Sequence, residues 1–66
     1  PMTPHLSRRL ARIAGGLRRY KDSDWFHQFL RAAEECGHFN HLPKEYQNLI
    51  RRLEYRRAKW LSQIDD

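Results

Sequence analysis

Apolar residues recur in this chain at spacings of three and four almost from end to end, and no stretch alternates apolar with polar as a strand does; the pattern restricts the fold to helices. The first run is Leu6, Leu10, Ile13, Leu17 and Tyr20, one stripe of an amphipathic helix. Thr3 followed by Pro4 suits its opening, because Thr caps free backbone N–H groups and Pro at the first position forfeits no hydrogen bond. Gly15 and Gly16 lie inside the run at a cost of roughly 1 kcal/mol each relative to Ala. The helix is expected to bend there or to let a neighbour approach closely.

Lys21-Asp22-Ser23-Asp24 interrupts the first stripe and supplies caps and first-turn carboxylates for a second helix, where negative charge suits the dipole. That helix runs to about Cys36. Trp25, Phe26, Phe29, Leu30, Ala32, Ala33 and Cys36 occupy nearly half its circumference, with His27, Arg31, Glu34 and Glu35 opposite, so it is expected to touch two neighbours. Gly37 is a natural stop, and Pro43 opens a third and longest helix reaching about Gln63. Tyr46, Leu49, Ile50, Leu53, Trp60, Leu61 and Ile64 share one face of it. The expectation is an all-α chain, a small three-helix bundle with a long C-terminal helix and short turns.

A chain of 66 residues makes one domain near the lower limit for a single core, leaving little surface for a substrate cleft. Paired carboxylates, a phosphate-cradling glycine loop and a nucleophile with its base are all missing from the pattern, so a binding module is expected and an enzyme is not. No apolar run approaches the length of a membrane span. One cysteine, Cys36, closes no internal disulfide, which points to a reducing compartment, cytoplasmic or nuclear. Pro1 ahead of Met2 reads as the residue left by a cleaved tag, which gives a domain over residues 2–66.

Charge is distributed unevenly. Residues 1–21 carry six Lys or Arg and no acid, residues 22–42 one base against four acids, and residues 43–66 six bases against four acids. Arg8, Arg12 and Arg19 fall opposite the first stripe with Arg9 flanking, and Arg52 and Lys59 fall likewise on the third helix with Arg56 beside them. Ten of the thirteen bases are Arg, whose planar fork suits phosphate and stacks on aromatic rings. Ordinary solubilising faces mix signs to gain pairs at i, i+4; a helix of one sign points to a polyanion. The expected partner is therefore DNA or RNA, held through its phosphates at Arg8, Arg9, Arg12, Arg19, Arg52, Arg56 and Lys59. In an up-down-up bundle the outer helices can be neighbours, and the two basic strips then merge into one surface.

A rival reading rests on the last helix. In heptads, Tyr46, Leu53 and Trp60 fill one seam position and Ile50, Arg57 and Ile64 the other, so Arg57 is a charge in an apolar seam. The helix outreaches the second, and Trp60, Leu61 and Ile64 are expected to overhang the bundle, with Tyr55 on the polar side. Tyr55, Arg57, Trp60, Leu61 and Ile64 would then dock another protein or a second copy as a homodimer. Two further patterns carry less. Ala33 and Gly37 have the spacing of a helix-turn-helix turn, yet Pro43 restarts the helix too late for a recognition helix. Cys36, His38, His41 and His5 lack the paired spacing of a structural zinc site. No metal, cofactor, membrane or small-molecule substrate is expected.

Overall fold

The computed structural model describes residues 1–64, and its regular elements are helices throughout. They are α1 (Pro4–Arg12), α2 (Ala14–Leu17), α3 (Asp24–Cys36) and α4 (Lys44–Ile64), with 3-10 turns at Arg18–Tyr20 and Phe39–His41. Taken together, α1, α2 and the first 3-10 turn are the expected first helix, and the architecture is the three-helix bundle with a long last helix.

The first helix is interrupted at Ile13, two residues before the glycine pair. Ile13 has φ −106° and ψ 14° and donates its N–H to the Leu10 carbonyl, three residues back, before α2 resumes with Leu17 N–H on Ile13 O. A β-branched residue followed by Ala-Gly-Gly holds the helical turn weakly. The stripe survives the interruption: Leu6, Leu10, Ile13 and Leu17 are all buried.

Caps fix the remaining ends. The Thr3 hydroxyl accepts from Leu6 N–H at 3.2 Å and donates to the Gly37 carbonyl at 3.0 Å, which also receives the Thr3 N–H. Ser23 caps α3 by accepting from Phe26 N–H while its hydroxyl donates to Tyr20 O. Gly37 ends α3 at φ +74°, a left-handed turn that costs a side-chain-bearing residue strain. Because the start of α1 meets the end of α3, the two run antiparallel.

Phe29, Leu6 and Ile50 are the largest fully buried side chains, joined by Ala33, Phe39, Leu42, Tyr46, Leu49 and Leu53. An aromatic cluster knits α3 to the start of α4: Trp25 lies parallel to Phe29 at 5.8 Å, and Tyr46 meets Phe29 edge-on at 5.2 Å. Gln47 is the buried polar side chain among the described residues, and its amide nitrogen donates to Leu42 O at 2.9 Å, satisfying the loop ahead of α4. With 21 residues, α4 is about 32 Å long. It stretches the molecule to 40 × 25 × 18 Å and a radius of gyration of 12.3 Å, against about 11 Å for a compact chain of this length. No described helix is long and apolar enough to cross a membrane.

Candidate functional site

The site forms where the first helix meets α4. Beside the core they share, two close contacts join them. Gly16 faces Leu53 so closely that a Cβ there would stand 3.2 Å from Leu53 Cδ2, the close approach foreshadowed by the glycine pair. One turn beyond the start of α1, Arg9 donates from Nε and Nη2 to the two carboxylate oxygens of Glu54 at 2.9 and 2.8 Å, a two-pronged pair. The same guanidinium lies 3.9 Å from the Phe39 ring centroid. Arg9's hydrogen bonds hold the Glu54 carboxyl below its ordinary value against the opposing effect of partial burial, with Arg12 and Arg51 adding attraction. Arg9 is raised in turn by its hydrogen bonds to Glu54.

Past Leu53, α4 leaves the core. No residue from Glu54 to Ile64 is buried, and between this free half and α2 opens a groove of about 500 Å³. Ile13, Gly15, Gly16 and Leu53 line its apolar part; Arg12, Arg19 and Tyr20 border it from the first helix, and Arg56, Arg57 and Trp60 from α4. None of the described lining residues is acidic, and all four arginines are solvent-exposed. Among the described residues Arg9–Glu54 is the ion pair, so the four guanidiniums face the groove without carboxylate partners there. A cavity of this kind concentrates positive potential beside apolar surface.

The structure thus regroups the residues singled out from the sequence. Arg12, Arg19 and Arg56 of the basic set meet Arg57 and Trp60 of the docking set around one groove. Arg9 is committed to Glu54 and Phe39. Arg8, Arg52 and Lys59 are exposed but lie outside the groove lining, and Lys59 Nζ sits 5.5 Å from the Tyr55 ring centroid. Tyr55 and Ile64 are exposed and Leu61 is half-buried. Tyr20, read in the sequence as a core residue, borders the groove instead. Its signal was positional: it is the last residue of the stripe, where a helix end leaves one side of a ring uncovered.

A second depression, of about 560 Å³, lies between the first helix and α3, with Leu10, Ala14, Leu17, Phe26 and Leu30 inside and Arg18 and Lys21 at its border. Cys36 is half-buried against the core, and the His38 and His41 rings lie 5.0 Å apart. Among the described residues no three His, Cys, Asp or Glu side chains converge as metal ligands would. Comparison with protein-family models, with curated proteins and with solved structures found no match.

Proposed function

We propose that this chain is a non-enzymatic nucleic-acid-binding module that grips phosphates in the groove between α2 and α4. The observation that carries the reading is the convergence of Arg12, Arg19, Arg56 and Arg57, from two helices, on one groove with no acid among its described lining residues. Guanidinium groups match phosphate in two-pronged geometry, and the net charge of +5 adds long-range attraction to a polyanion. Held by backbone contacts, the ligand is read with little base specificity.

The test is a salt titration of binding to labelled DNA and RNA. Arg12→Ala with Arg56→Ala should weaken binding and reduce the slope of log K against log salt by about two, roughly one for each lost phosphate contact. Arg31→Ala with Lys44→Ala removes the same charge away from the groove and should leave most of the slope. Equal effects of the two pairs would reduce the reading to nonspecific attraction.

A second reading, docking of a protein or a second copy through Trp60, Leu61 and Ile64, is favoured by the 59% and 58% exposure of Trp60 and Ile64. It ranks lower because Trp60 borders the groove among arginines, and a second copy would bring equal positive charge to the same place. Concentration-dependent association that Trp60→Ala abolishes would reverse that ranking.

A further inference from the structure

We infer that the groove takes a single strand, with an unpaired base stacked on Trp60 and its phosphates held by the surrounding arginines; this rests on the nucleic-acid reading above and specifies its ligand. Three features point to an unpaired strand.

The first is shape. A duplex is read by a convex element, usually a helix laid into a major groove about 12 Å wide, whereas Arg12, Arg19, Arg56 and Arg57 surround a depression. Its volume of about 500 Å³ falls in the range of small-molecule sites, a scale that suits individual nucleotides. The second is the contrast between the two tryptophans. Trp25 contacts the rings of Tyr20, Phe29 and Tyr46, while no other described ring stacks on Trp60, which is 59% exposed at the groove's edge. An indole left bare beside guanidiniums is a stacking platform for a base, and the bases of a duplex already have stacking partners. The third is the space at Gly15. A Cβ built there meets nothing within 4 Å, so this part of the groove's lining is open to an incoming group. Such stacking is tolerant of sequence, because every base has a face.

The experiment compares the full chain with Trp60→Ala and Trp60→Phe on a labelled oligo-dT of about 15 nucleotides and on a mixed-sequence duplex of the same length, at one moderate salt concentration. The single strand should bind about tenfold tighter than the duplex. Trp60→Ala should lose about tenfold on oligo-dT and less than about twofold on the duplex, and Trp60→Phe should retain most of the affinity. Far-ultraviolet circular dichroism checks that each variant keeps its helices, as an exposed position allows. In a Trp25→Phe protein, where Trp60 is the remaining indole, oligo-dT should quench the emission and the duplex should not. Duplex binding as tight as single-strand binding, or single-strand binding that Trp60→Ala leaves intact, overturns the inference while the nucleic-acid reading stands. Failure of both ligands to bind at low salt overturns both.

Discussion

The two halves of α4 obey different rules although one helix carries them. From Tyr46 to Leu53 each heptad seam residue is buried, and Gln47 beside them is buried too. From Glu54 to Ile64 the same seam continues through Arg57, Trp60 and Ile64 with none of its residues buried. The first half makes the core; the second stands out from it with aromatic, aliphatic and cationic side chains uncovered. Apolar periodicity therefore marks a helix face along all of α4, but whether that face is core or exposed surface depends on where the neighbouring helices end.

The sharpest measurement of this contrast is stability. Ile50→Ala, at a fully buried position, should cost about 3 kcal/mol in urea denaturation, a large fraction of what a domain of this size possesses. Trp60→Ala removes a larger side chain and should change stability by less than about 0.5 kcal/mol. Equal losses would mean that the second half of α4 packs against something in solution. The next effect is polar. Gln47→Ala leaves the Leu42 carbonyl without its 2.9 Å donor and should cost about 1–2 kcal/mol, whereas Gln63→Ala, at an exposed position, should be silent.

Arg9 and Glu54 stand at the boundary between the halves, and Glu54→Gln should cost about 1 kcal/mol, an amount limited by the pair's partial exposure. Because Arg9 lowers the Glu54 carboxyl in the folded protein, the pair's stabilisation is fully present above the ordinary carboxyl value of 4.5 and is lost as pH falls through the depressed one. Thermal melts should therefore show wild type losing its advantage over Glu54→Gln below about pH 4.5. The smallest effect is at the glycine pair. Gly15→Ala meets open space and should gain about 0.5 kcal/mol from helix propensity. Gly16→Ala must displace Leu53 and should gain nothing.

Much of the fold could be read directly from residue types. Ser23, Gly37 and Pro43 act locally, and they place the ends of α3 and α4 within a residue or so of where the structure has them. What escaped was non-local. The interruption of the first helix falls at Ile13 and not at the glycines, since a β-branched residue can leave helical geometry while its side chain stays in the core. Gln47 looks like a surface residue until the loop carbonyls it serves are placed beside it. Arg9 and Glu54 are 45 residues apart, and nothing local marks them as partners. Arg12, Arg19 and Arg56 were visible on a helical wheel; their company with Arg57 and Trp60 was not, because a wheel has no information about where the bundle stops covering α4.

The Gly37 carbonyl that receives both donors of Thr3 also bears on how the chain acquires its shape. The bond spans 34 residues, over half the molecule. During synthesis the turn at Thr3 has no place to fasten until the end of α3 has emerged, so α1 waits for a helix made after it. Helices can flicker locally within microseconds, but the clasp between Thr3 and Gly37 closes only as the bundle does, and a contact of that span favours a single concerted folding event over a stepwise one.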